Sequence, residues 1–201
     1  MYIKDRNINP ESSYNLILGK EIGSLISQVH SAAIGSGYVL ENTIEEFIYD
    51  DRVQFTTKIF DVDGENIIPD MFFDEGLDVM EWQKTDLPIH IGEFKLGTTF
   101  DTKKSKAEIT NLLKLQKHFE KKGRKVKLYF MSFLAEDHET IEVGLKGKLH
   151  EDIIPLTGKE LADWLGFDFQ SVKDRLSSDI NRNQKYLFEQ LAEVMGYDIT
   201  G

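Results

Sequence analysis

Pro88-Ile89-His90-Ile91-Gly92-Glu93-Phe94-Lys95 ends an apolar run with a carboxylate and an ammonium two positions apart. The run reads as a buried strand. Side chains alternate between faces along a strand, so Glu93 and Lys95 share one face and Phe94 points into the opposite layer. A charged pair on an apolar strand is costly unless chemistry requires it. Metal-assisted hydrolysis does require it, since the carboxylate binds a divalent cation and the lysine stabilises charge or orients the attacking water. The plainer reading is a structural ion pair, but Ile89-His-Ile-Gly is not the sequence of a solvated face.

One carboxylate rarely holds a hard cation, so a second acid is expected nearby. Upstream, Gly76-Leu-Asp78-Val-Met-Glu81-Trp82 followed by Lys84-Thr-Asp-Leu-Pro88 reads as strand, short turn, strand. A turn centred near residues 85–86 places Asp78 opposite Glu93, and directly opposed residues share a sheet face. Hairpin counting therefore favours Asp78. Its rival is Asp70, in Ile67-Ile-Pro69-Asp70-Met-Phe-Phe73, which follows a proline and opens an apolar run. Asp74 and Glu81 are weaker candidates. Glu41, beside Leu40 and Ile44 at the edge of a helical apolar stripe, is a further candidate for the same centre.

An Asp, often after Pro, followed by Glu-x-Lys on the next strand resembles the signature of the PD-(D/E)XK nucleases, whose best-known members are type II restriction endonucleases. The resemblance spans roughly residues 38–135. Glu93 and Lys95 match its second half, and Asp78 and Asp70 compete for its first acid. The resemblance implies a restriction-endonuclease-like α/β fold, a central mixed β-sheet flanked by helices. It also implies a Mg²⁺-dependent endonuclease that hydrolyses DNA phosphodiester bonds, most simply a type II enzyme cutting a specific duplex sequence. Metal ligands would come from Asp78 or Asp70, Glu93, the Phe94 carbonyl and Glu41, with Lys95 at the scissile phosphate. Enzymes that cut both strands of a palindrome are commonly two-fold, so a homodimer on double-stranded DNA is the implied assembly. Alternatives are a repair or junction-resolving nuclease of the same superfamily, or an acidic protein that mimics DNA.

Charge bears on that last choice. The net charge is −11, which by itself disfavours phosphate binding. Yet residues 103–127 hold ten Lys or Arg against only Glu108 and Glu120. A DNA mimic has no use for such a segment, whereas a nuclease has. Lys103, Lys104 and Lys106 are expected to touch phosphates, which position a duplex without reading it.

The 201 residues suffice for one nuclease domain, with a helical C-terminal part over about 157–197. No apolar run is long enough to cross a membrane, and the N-terminus lacks a secretion signal. Cysteine is absent, so neither disulfides nor a thiolate zinc site arise. A cytoplasmic protein is the expectation. The five histidines are not at ligand spacing. Helical spacing marks residues 12–33, 38–48 and 103–122, the last closed by Gly123. Extended runs are expected at 53–60, 67–73, 126–134 and 141–145. Thr157-Gly-Lys-Glu160 reads as a capping box, and two helices broken near Ser177-Ser178 follow over 171–195.

Overall fold

The structure, a computed structural model, describes residues 3, 13–34, 36–49, 53–55, 58–76, 87–178 and 180–196. In chain order the elements are α1 (Ser13–Leu18), α2 (Lys20–Ile34), α3 (Ser36–Glu45), β1 (Val53–Phe55), β2 (Phe60–Val62), β3 (Glu65–Ile67), β4 (Met71–Asp74) and β5 (Ile89–Lys95). Then come α4 (Thr102–Glu120), β6 (Val126–Ser132), α5 (His138–Gly144), β7 (Ile153–Thr157), α6 (Gly158–Leu165), α7 (Phe169–Ser177) and α8 (Ile180–Met195). Two compact units emerge, residues 1–39 with 171–201, and residues 40–170.

The first unit is helical. Its α2 packs against α8. The Tyr186 hydroxyl donates to Gln28 Oε1 at 3.0 Å, and the Ile3 amide donates to Asn183 Oδ1 at 3.0 Å.

The second unit is built on a five-stranded sheet in the order β1-β4-β5-β6-β7. The β1–β4 and β4–β5 pairs are antiparallel; β5–β6 and β6–β7 are parallel. Parallel neighbours need long crossovers, supplied here by α4 and α5. β5 is central and buried along both faces until Lys95, which explains its near-continuous apolar reading. Ile89 and Ile91 face Ile109, Leu112 and Leu115 of α4 and Ile141 of α5. His90 faces the other way, against Trp164 of α6. A separate hairpin, β2–β3, turns at Asp63-Gly64 with φ of 54° and 84°. Two adjacent positive φ values define the hairpin turn that Asp-Gly favours. The hairpin sets Phe60 edge-on to Phe119 of α4, with ring centroids 5.3 Å apart.

Two elements differ from expectation. Residues 141–145 form no strand but the end of α5 and its cap. Ile-x-Val-x-Leu alternates like a strand, yet Val143 is 69% exposed while Ile141 and Leu145 are buried four residues apart. That is helical periodicity, secured by Asp137, whose side chain accepts from the Thr140 amide at 2.8 Å. Conversely, β7 was not legible. It carries Pro155, which demotes a run in sequence but is tolerated on an edge strand. The capping box at Thr157 and Glu160 and the break between α7 and α8 are as the sequence implies. Among the described residues no helix is long and apolar enough to cross a membrane.

Candidate active site

The Glu93–Lys95 pair lies at the C-terminal end of β5, on the face covered by α4. Lys95 Nζ donates to Glu93 Oε1 at 2.6 Å. The same ammonium pairs with Glu108 Oε1 of α4 at 3.1 Å. The loop that leaves β5 is pinned at three points. The Phe133 and Leu134 amides donate to the Lys95 and Leu96 carbonyls at 2.8 and 3.0 Å, and the Ser132 hydroxyl donates to the Gly97 carbonyl at 2.9 Å. Helix α5 presses on this loop so closely that a Cβ at Gly144 would stand 2.4 Å from the Thr98 carbonyl oxygen.

The antiparallel partner of β5 is β4, with Met71 opposite Gly92 and Asp74 opposite Ile89. Continuing that register one residue sets Asp70 opposite Glu93. Asp70 Oδ2 accepts from the Phe94 amide at 2.7 Å, which fastens the acid to the strand. The neighbours of β5 in the sheet are β4 and β6, and residues 77–86, on which the expected hairpin with β5 fell, lie outside the described residues. Hairpin counting assumed the shortest turn, whereas the chain runs from Asp74 to Ile89 between paired strands. Asp78 itself lies outside the described residues, as does Glu81. Asp74 is engaged elsewhere, by Arg124 at 2.5 and 3.1 Å.

Glu41 of α3 converges on the same centre. It is buried, and its Oε2 has no hydrogen-bond partner among the described residues. Burial, and then the Asp70 charge, push its carboxyl up to about 8 against the pull of Lys95. Burial and Asp70 likewise push Glu93 up to about 9, with Lys95 opposing and Glu108 adding to the rise. Burial raises Asp70 as well, opposed by Lys95, the Phe94 amide and Glu93. Burial alone would depress Lys95, but Glu93, Asp70 and Glu108 outweigh it and hold the ammonium charged. The centre is thus an electrostatically frustrated cluster: buried Glu41 and Glu93 and half-buried Asp70, with Glu108 beside them, compete for the Lys95 ammonium.

Such a cluster fits a divalent cation. Among the described residues no three His, Asp or Glu side chains are grouped to enclose an ion by themselves. Mg²⁺ does not require that, since it is commonly held by one or two carboxylates with waters and substrate phosphate. Asp70 and Glu93 would be the two, and the Glu41 oxygen that has no partner among the described residues would be a further hard donor.

Lys103 and Lys106 are exposed on the first turns of α4, and the side chain of Lys104 is 71% exposed. The Asp101 cap that starts this helix accepts from the Lys103 and Lys104 amides. Glu108 was not anticipated from sequence. Its signal was there: it lies three residues after buried Ser105 and four before buried Leu112, on the helix stripe that meets the sheet.

A mixed sheet with an acid and Glu-x-Lys meeting at adjacent strand ends is the arrangement of the PD-(D/E)XK nucleases. No protein-family model matches the chain. The sequence is 31% identical over 208 aligned positions to the type II restriction enzyme HhaII of Haemophilus parahaemolyticus, covering 91% of this chain and 89% of that protein. A solved structure, the small subunit of the heterodimeric restriction endonuclease R.BspD6I, matches at 17% identity with a TM-score of 0.35, over 79% of this chain and 87% of that one. The chain belongs to the type II restriction endonucleases.

Proposed function

We propose that the protein is a Mg²⁺-dependent endonuclease that cuts double-stranded DNA at a specific sequence. The observation that carries this reading is the meeting of Asp70 with Glu93 through the Phe94 amide, beside a charged Lys95. Asp70 and Glu93 would hold the cation, with the Phe94 carbonyl and Glu41 as further oxygen donors. Bound there, Mg²⁺ supplies positive charge that activates water and offsets charge building on the phosphate. Lys95 keeps its proton because acids surround it, so it acts as a fixed cation at the scissile phosphate and not as a base. Lys103, Lys104 and Lys106 grip the flanking backbone without reading it. Cutting both strands of a symmetric site calls for a two-fold homodimer, acting in the cytoplasm on duplex DNA.

The test is purified protein with plasmid DNA, in Mg²⁺ and in EDTA, alongside Asp70→Asn and Asp78→Asn. Discrete fragments are expected in Mg²⁺ and none in EDTA. Asp70→Asn should abolish cutting while Asp78→Asn retains it. The site reading fails if Asp70→Asn cuts like the parent, and metal dependence fails if EDTA leaves the fragments unchanged.

A further inference from the structure

Lys95 is the most mobile kind of side chain to place at a reacting centre. Its ammonium is a compact charge on a four-carbon stem, with three donors that rotate freely. Fixing it takes more than one anchor. Glu93 is the nearer, at 2.6 Å. But Glu93 is also the acid placed to hold a cation, and one carboxylate cannot serve both duties at full strength.

The second anchor is on α4. Glu108 Oε1 lies 3.1 Å from Lys95 Nζ, and Lys104 approaches the same oxygen at 3.6 Å. Oε2 of Glu108 is buried with no hydrogen-bond partner among the described residues. An ordinary surface pair one helical turn apart, as Lys104 and Glu108 would be, keeps its carboxylate in water. Here the Glu108 side chain is only 12% exposed and is turned toward the sheet. An unpaired buried carboxylate oxygen is a cost that packing does not explain. The geometry also leaves work for the ammonium: Glu93 takes one of its three protons in a hydrogen bond and Glu108 adds an ion pair, so donor capacity remains for substrate.

We propose that Glu108 is a positioning residue for Lys95. It holds the ammonium toward the scissile phosphate independently of what Glu93 binds. This inference rests on the reading of Asp70, Glu93 and Lys95 as the active site.

The test is single-turnover cleavage in saturating Mg²⁺ by the parent, Glu108→Gln, Glu108→Asp, Lys95→Ala and the double variant Lys95→Ala/Glu108→Gln. Duplex binding in Ca²⁺ and melting temperature are measured alongside. Misplacing a catalytic group by roughly 1 Å costs on the order of 10²-fold, so Glu108→Gln should lose about 10- to 100-fold in rate. DNA affinity and half-saturating Mg²⁺ should stay at parental values. Glu108→Asp should recover part of the rate, which also guards against a folding defect in the amide variant. In the Lys95→Ala background, Glu108→Gln should cost nothing further. Parental cutting by Glu108→Gln overturns the inference alone. So does an equal loss in the Lys95→Ala background, or a raised Mg²⁺ requirement, since either gives Glu108 a role not mediated by Lys95. A parent that cuts nothing removes the active-site reading, and this inference with it.

Discussion

Strand β5 buries polar groups at both of its ends, and the two ends treat them in opposite ways. Near its start, His90 is stacked on Phe73 and Tyr129, with ring centroids 5.5 and 5.7 Å apart. Its Nε2 lies 2.7 Å from Glu75 Oε1 and its Nδ1 lies 2.9 Å from the Tyr129 hydroxyl. A carboxylate only accepts, so Nε2 donates to Glu75 and the neutral ring's Nδ1 accepts from Tyr129. Every polar atom of the ring is satisfied. At the far end, burial and the Asp70 charge raise both Glu93 and Glu41, and an oxygen of Glu41 has no hydrogen-bond partner among the described residues. Buried polarity that is fully paired serves stability; buried polarity left in conflict marks a place where stability is given up for chemistry.

Neutralising the conflicted end breaks this contrast most directly. Glu93→Gln keeps the shape and removes one charge. Loss of one preorganised charged group at a phosphate site should cost on the order of 10²–10³-fold in cleavage rate. The same variant should be more stable than the parent without metal, by about 1–3 kcal/mol at pH 8, because the folded carboxyl, pushed up to about 9, must take up a proton that the unfolded carboxylate does not carry, whereas Gln is neutral in both states. Denaturant titration in EDTA checks this, and a less stable Glu93→Gln would sink the idea of a frustrated centre. Mg²⁺ should then raise the melting temperature of the parent but not of the variant.

Removing the satisfied end should do the reverse. His90→Ala opens a cavity among aromatic rings and strands Glu75 and Tyr129, at about 2–4 kcal/mol. Cleavage per folded molecule should be unchanged, as measured below the variant's melting temperature. A loss of rate at full folding would mean that the two ends are coupled.

The smallest effect separates the ends by pH. Burial lowers His90 in the folded state despite Glu75, so the unfolded chain binds more protons; this contribution is complete above the ordinary histidine pKa and is lost as pH falls below it. Glu93 and Glu41 are raised in the folded state, so the folded chain binds more protons. Their contribution is complete below the ordinary glutamate pKa and is lost as pH climbs toward about 8 and 9. Metal-free stability should therefore decline between pH 7 and 9 in the parent and decline less in Glu93→Gln. Equal slopes for the two proteins would refute the assignment.

Strand β5 was legible because its two signals agree, an apolar run for burial and a charged pair of period two for the face. The first acid was half legible. Pro69-Asp70 carried the motif, but counting back through the nearest turn pointed to Asp78, and sequence alone does not say which of two upstream runs becomes the partner strand. Residues 141–145 misled because three apolar residues at alternate positions fit a strand, and only the exposure of Val143 separates the periods. The helical spacing of α4 turns Glu108 toward the sheet, but its pairing with Lys95 depends on a packing contact between α4 and β5, which no local pattern records.

Phe94 explains the freedom of the middle letter in Glu-x-Lys. Its ring packs on Phe55, with centroids 5.4 Å apart, while its amide hydrogen is what Asp70 grips. The chemical duty of this position therefore belongs to the main chain, which every residue but proline supplies. Evolution can exchange the side chain to suit the layer behind the sheet without touching the acid in front. Repacking and catalysis are thus heritable separately at a single codon.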